Sequence, residues 1–264
     1  MKIALVDSGI GLLAAGAALR RLRPDADLVL SSDPDGMPWG PRTPADLTEH
    51  ALACARAAAA HRPDALVVAC NTASVHALPA LRSELEPHVP VIGTVPAIKP
   101  AAARGGRIAI WATPATTGSA YQRGLIQDFG DGAHVTEVPC PGLADAVESA
   151  DEAAIDAAVA AAAALTPRDV RAVVLGCTHY ELVAGRIRDA VGRPGGPPVA
   201  LYGSAEAVAV QALRRLGALS EIRTGGDGTG SLTVLLSGRT AVLPAEAARY
   251  AEGRLLAAGA GLPA

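Results

Sequence analysis

The sequence predicts an α/β protein built on parallel sheets, and three observations carry that expectation. Short β-rich apolar runs alternate with longer alanine-rich segments of helical pattern along the 264 residues. The apolar runs are continuous rather than alternating, as suits strands buried on both faces of a parallel sheet. One of them, Asp64-Ala65-Leu66-Val67-Val68-Ala69-Cys70-Asn71-Thr72, is loosely repeated later as Arg171-Ala172-Val173-Val174-Leu175-Gly176-Cys177-Thr178-His179.

Taken in order, strands are expected at about 2–6, 27–31, 65–69, 91–94, 107–112, 135–138 and 171–175, with helices filling most of the gaps. The alanine tracts 57–60 and 160–164 fall inside helical patterns, and alanine is the best helix former, so they read as ordinary helix. Helical patterns follow both repeated segments, over 73–85 and 181–191. Thr94-Val95-Pro96-Ala97-Ile98-Lys99-Pro100 places two prolines between a strand and a helix start, which marks a crossing between domains. The expected division is residues 1–97 plus 208–264 for the first α/β domain and 98–207 for the second. Thr224-Gly225-Gly226-Asp227-Gly228-Thr229-Gly230 reads as a loop ahead of the β-like run Leu232-Thr233-Val234-Leu235-Leu236.

Bulk properties exclude several function classes. A formal net charge of -3 provides no broad basic field for a phosphate backbone, so nucleic acid is not expected as a partner. No stretch of strongly apolar residues is long enough and free enough of charge or proline to predict a membrane span. The opening Met1-Lys2-Ile3-Ala4-Leu5-Val6-Asp7 lacks the pattern of a secretory leader, and the expected compartment is the cytoplasm. Cys54, Cys70, Cys140 and Cys177 are too few and too scattered for a disulfide framework, so reduced thiols are expected.

The chemistry is expected at Cys70 and Cys177. Each follows a strand, where ligands of parallel sheets bind, and each precedes a helix, whose N-terminus favours a thiolate. Two thiols approaching one α-carbon from opposite faces allow one to take a proton while the other supplies one, which inverts the centre without a cofactor. Cys54 and Cys140 read as buried thiols acting as small hydrophobes. A zinc site of Cys70, Cys177 and His179 is disfavoured, because paired ligand spacing and an evident fourth ligand are both missing.

Asp7 ends the first strand before a glycine-containing turn, where its carboxylate suits a thiol's proton or a substrate ammonium; its alternative role, shared with Ser8, is capping the next helix. His179, two residues beyond Cys177, suits a proton relay, the alternative being a helix-start histidine. Glu148 lies in an acidic run with Asp145, Asp151 and Glu152, which ordinarily marks a solvated face, and is retained as a helper. Gly9-x-Gly11-x-x-Ala14 after a strand, with Asp33 downstream, also fits a dinucleotide site. Asp7 would then direct negative charge at the pyrophosphate, and the twinned cysteine segments would go unexplained.

The segments Asp7-Ser8-Gly9-Ile10-Gly11, Trp39-Gly40, Ala69-Cys70-Asn71-Thr72-Ala73-Ser74, Gly93-Thr94-Val95-Pro96-Ala97-Ile98-Lys99-Pro100 and Gly176-Cys177-Thr178-His179-Tyr180 resemble the glutamate racemase family in order and spacing. Thr113-Pro114-Ala115-Thr116, Val147-Glu148 and Tyr202-Gly203-Ser204-Ala205 extend the likeness over most of the chain. The two cysteine motifs are specific; the others are individually weak. The resemblance implies two similar parallel-sheet α/β domains with the active site in the cleft between them. It implies exchange of L- and D-glutamate with neither cofactor nor metal, a supply of D-glutamate to peptidoglycan, and a homodimer.

The same resemblance implies that Cys70 and Cys177 are the acid/base pair, assisted by Asp7, Glu148 and His179. Asp7, Ser8, Trp39, Gly40, Asn71, Thr72, Thr113, Thr116, Thr178 and His179 are then expected to hold the substrate. The chain departs from the family where Leu12 replaces a glycine, where Trp39 replaces a tyrosine of the pocket wall, and where Glu181 replaces a proline. Glu181 is expected to be exposed and of little consequence. Trp39 keeps aspartate or another amino acid open as the substrate, and a regulatory binding protein that lost the activity is the alternative from another class.

Overall fold

The computed structural model describes residues 1–130, 132–193, 195–221 and 230–259. Thr224–Thr229, read above as part of a loop, lie outside the described residues. Among the described residues ten strands follow in chain order: β1 Lys2–Asp7, β2 Asp27–Ser32, β3 Ala65–Val68, β4 Val91–Gly93, β5 Arg107–Ala112, β6 His134–Pro139, β7 Val170–Leu175, β8 Ala200–Tyr202, β9 Leu232–Leu236 and β10 Arg239–Ala241. They form two sheets in two compact units, Met1–Thr94 with Ala205–Ala264, and Val95–Ser204.

The first unit carries the sheet β10-β9-β2-β1-β3-β4, parallel except for β10. Ile3, Ala4, Leu5 and Val6 of β1 are fully buried, as are Ala65 through Val68 of β3. Their continuous apolar runs thus bury both faces, each large side chain contributing about 1.5–3 kcal/mol of transfer free energy. A core of Val29, Leu47, Ala51, Ala55, Ala58, Leu66, Val68, Leu81, Val91 and Leu235 gathers helix Pro44–Ala59 and helix Leu78–Leu85 around the sheet. Thr43 caps the first of these through Asp46 N–H, with Pro44 at its start, where a missing N–H costs nothing.

The second unit carries the all-parallel sheet β6-β5-β7-β8. Ile108, Ile110, Ala172 and Val174 pack with Ile98, Ala101 and Ala102. Ser119 and Asp151 cap the helices Ala120–Phe129 and Glu152–Leu165 through side-chain acceptors. Within each sheet the first strand is central, flanked by the second and third, with the fourth beyond the third: β2-β1-β3-β4 in one and β6-β5-β7-β8 in the other. The repeat seen in the sequence is therefore also a repeat of topology, in which β3 corresponds to β7.

Several elements depart from the expected pattern. The helical stretch over 73–85 is two helices, Asn71–His76 and Leu78–Leu85, because Pro79 has no N–H to continue the first. The stretch over 181–191 is also divided, into Thr178–Glu181 and Ala184–Val191. β8 and β10 are three-residue edge strands, too short to show a period. β10 is reached through Ser237 (φ 45°) and Gly238 (φ 77°), a two-residue hairpin turn with both centres in the left-handed region. No helix among the described residues is long and apolar enough to cross a membrane.

Candidate active site

Both repeated cysteines stand at the carboxyl end of a strand with nearly the same backbone. Cys70 (φ -139°, ψ 123°) follows β3 and occupies the cap position of helix Asn71–His76. Cys177 (φ -139°, ψ 137°) follows β7 and does the same for helix Thr178–Glu181. Both cysteines are thus extended residues at the cap position, one immediately ahead of Asn71 and the other immediately ahead of Thr178. Cys70 is buried and Cys177 partly exposed.

In the first unit, Asp7 closes β1 beside this turn, since Ala69 N–H donates to Val6 C=O at 2.8 Å. Asp7 is fully buried, and its Oδ1 accepts from Ser8 N–H at 2.7 Å. The next helix starts at Leu12 with Gly11 as its cap, so Asp7 and Ser8 lie ahead of the cap position. Asn71 is buried and Thr72 half-buried in the first turn after Cys70. Trp39 belongs to the same buried cluster as Cys70 and is only 1% exposed; its indole N–H donates to Asp33 Oδ2 at 3.1 Å. Its single donor is thus occupied inside the protein, which leaves the partly exposed Gly40 as the open end of that pair. Asp33 Oδ2 also lies 2.7 Å from His50 Nδ1, and Asp33 Oδ1 accepts from Ser237 Oγ at 3.1 Å. Both oxygens of the residue that the dinucleotide reading assigns to a ribose are therefore engaged by the protein.

In the second unit, His179 joins two of the expected groups. Its Nε2 lies 2.8 Å from Glu148 Oε2, and its Nδ1 lies 3.8 Å from Cys177 Sγ. Glu148, read from its acidic run as a candidate for a solvated face, ends helix Leu143–Glu148 turned onto His179, a carboxylate–imidazole–thiol chain able to orient a ring and move a proton. Thr113 and Thr116 follow β5 with their hydroxyls 3.2 Å apart. Gly118 N–H in this loop donates to Glu137 Oε2 at 2.7 Å, a support with no signal in the sequence. Burial pushes the Cys54 and Cys140 thiols up to about 12, as inert core residues require, with the Asp33 charge adding to the first and Cys177 to the second. Burial also holds the Tyr180 phenol well above its ordinary range, beside Cys177 and Cys140.

Glu181 is the residue the sequence reading misjudged. It is half-buried, and its Oε1 accepts from both the N–H and the Oγ of Ser204, each at 2.8 Å. Its carboxylate also fills the space that a Cβ on Gly203 would need. A side chain standing where the resembled family has proline offered no motif from which this could be read.

Fold and site together define a class: a parallel-sheet α/β enzyme with a cysteine at the same topological position of each sheet and a histidine–glutamate pair beside one of them. Residues 12–214 match the family described as Asp/Glu/Hydantoin racemase, and the chain belongs to that family of isomerases. It is similar to a glutamate racemase of Roseiflexus sp. (strain RS-1), 39% identical over 198 residues that cover 72% of this chain and 71% of the relative. A glutamate racemase of Granulibacter bethesdensis is 40% identical over 220 residues, 80% of this chain and 77% of the relative. Among solved structures, Escherichia coli glutamate racemase in complex with L-glutamate and an activator, UDP-MurNAc-ala, superposes with a TM-score of 0.75 at 27% identity, covering 97% of this chain and 92% of that one.

Proposed function

We propose that this protein interconverts L- and D-glutamate in the cytoplasm without a cofactor, and that it supplies D-glutamate for peptidoglycan. The observation that carries the reading is the recurrence of one arrangement, strand, extended cysteine, helix, at corresponding places in both sheets. Inverting an α-carbon requires a base on one face and an acid on the other. A thiolate removes the α-proton and becomes a thiol; the second thiol donates its proton to the opposite face and becomes a thiolate. The protein is then set for the reverse reaction, and the proton count balances.

Glutamate is favoured as substrate because the relatives quoted above carry that activity in their names and the Escherichia coli structure holds L-glutamate. In this reading Cys70 and Cys177 exchange the proton, with Asp7 serving the first and His179 and Glu148 the second. The backbone and side chains of Ser8, Gly40, Asn71, Thr72, Thr113, Thr116 and Thr178 hold the carboxylates and the amine, with Trp39 backing them from the core. The working form is a homodimer whose only ligand is the small amino acid.

The test is circular dichroism of purified, cofactor-free protein incubated with a panel of single enantiomers. Decay of the signal for L- and D-glutamate alone supports the reading. The tryptophan at position 39, where the resembled family has tyrosine, favours one second reading, in which decay appears for aspartate instead. No decay for any amino acid would overturn both and leave a binding protein.

A further inference from the structure

The Glu181–Ser204 contact has a counterpart in the other sheet. Ser74 stands four residues after Cys70, as Glu181 does after Cys177. Ser74 Oγ accepts from Thr94 N–H at 2.8 Å, in the place of Ser204 N–H donating to Glu181. Thr94 follows β4 and Ser204 follows β8, the fourth strands of the two sheets, and each is preceded by glycine, Gly93 and Gly203. A Cβ on Gly93 would press on Leu78 with Ser74 Oγ next to it, and one on Gly203 would press on the Glu181 carboxylate. Thr94 and Ser204 are both almost wholly buried, and each is the last residue before the chain crosses from one unit to the other.

We propose that Ser74 and Glu181 are paired positioning residues, each clamping the turn that carries its cysteine to the point where the chain leaves that unit. The inference rests on the racemase reading, since a clamp on these turns matters only if the two thiols work together. The clamps are unequal. Ser74 contributes a neutral hydroxyl that accepts from Thr94 N–H and donates to Val68 C=O at 3.3 Å, supplemented by Thr94 Oγ1 donating to the same carbonyl at 2.8 Å. Glu181 contributes a carboxylate that takes two donors from Ser204, and charge-assisted bonds are the stronger kind. The Cys177 turn is the shorter and more exposed of the two, a four-residue helix against six, so the stronger clamp sits where the local helix holds less.

The experiment compares Glu181→Ala, Glu181→Gln, Ser204→Ala and Ser74→Ala by kcat and KM in both directions, and by the iodoacetamide alkylation rates of Cys70 and Cys177 read on separate peptides. Glu181→Ala is expected to lower kcat by about tenfold with KM changed less than about threefold. It should shift the alkylation rate of Cys177 while leaving that of Cys70 near wild type; Ser74→Ala should do the reverse, more weakly. Glu181→Gln keeps an acceptor oxygen and should recover most of the loss. Equal shifts at both cysteines, or none at either, would overturn the proposal. If Glu181→Ala does not fold, Ser204→Ala, which removes one donor only, decides the same question. Wild-type protein without turnover would sink the racemase reading, while the alkylation rates would still test the clamps.

Discussion

The imidazole of His179 is held by Glu148, Nε2 to Oε2 at 2.8 Å, so that its other nitrogen faces the Cys177 sulfur. Glu148→Gln keeps the size of that partner and removes its charge. It is expected to lower kcat by about ten- to a hundredfold with a smaller change in KM, as the proposed proton-transfer role of His179 requires. Steady-state kinetics in both directions measures this, and an unchanged kcat would remove Glu148 from the relay.

Cys70→Ser and Cys177→Ser should each lower racemisation by about a thousandfold or more, since a hydroxyl is a far weaker base than a thiolate. In deuterated solvent each variant should still exchange the α-hydrogen of one enantiomer, and the two variants should differ in which one. Nuclear magnetic resonance of the α-proton signal distinguishes them. Full activity of either variant in both directions is the outcome that refutes the two-thiol mechanism.

Cys54 and Cys140 are held at about 12, against an ordinary thiol value of 9.0. The folded state thus favours the protonated thiols, and the unfolded chain ionises first as pH rises. Their contribution to stability is whole below about pH 9 and is lost as the pH climbs through the range towards 12. Urea denaturation at a series of alkaline pH values should show the loss, and Cys54→Ala should make it shallower. At about pH 8 in the folded protein both thiols should stay unmodified by iodoacetamide.

Gly176→Ala tests the turn before Cys177. A Cβ there would lie 2.8 Å from the Trp111 carbonyl oxygen and 3.2 Å from Ala112 Cβ, and backbone on a neighbouring strand does not yield cheaply. A loss of about 1–3 kcal/mol is expected, together with lower kcat as the cysteine turn shifts. Thermal melts and turnover together measure it.

Trp39→Phe removes the indole donor from Asp33 and leaves a buried carboxylate with His50 and Ser237. The expected cost is about 1–3 kcal/mol. An amino-acid panel run on the variant shows whether this position also sets substrate preference.

The buried strands were legible because their apolar runs are continuous, and β1, β2, β5 and β7 lie within a residue of their expected bounds. β8 and β10 were not, although β4, equally short and also at a sheet edge, was. The two cysteine turns were legible as a repeat, whereas the Glu148–His179 contact joins residues far apart in sequence and could only be weighed against a solvated face. Trp39 reads as a pocket residue by motif, yet the partner that takes up its N–H lies across a turn. Glu181 escaped notice for the opposite reason: its sequence neighbours gave no hint of Ser204, which reaches it from the turn after β8.

The placement of β9 against β2, with Leu28 opposite Leu232, has a bearing on biosynthesis. Residues 95–204 form one uninterrupted span and are free to consolidate while the ribosome is still adding the remainder. The other unit has no such freedom, because until the last strands emerge the flank of β2 offers bare backbone amides and carbonyls to any passing chain. Nascent protein therefore passes through a half-built stage in which that flank is an open sheet edge.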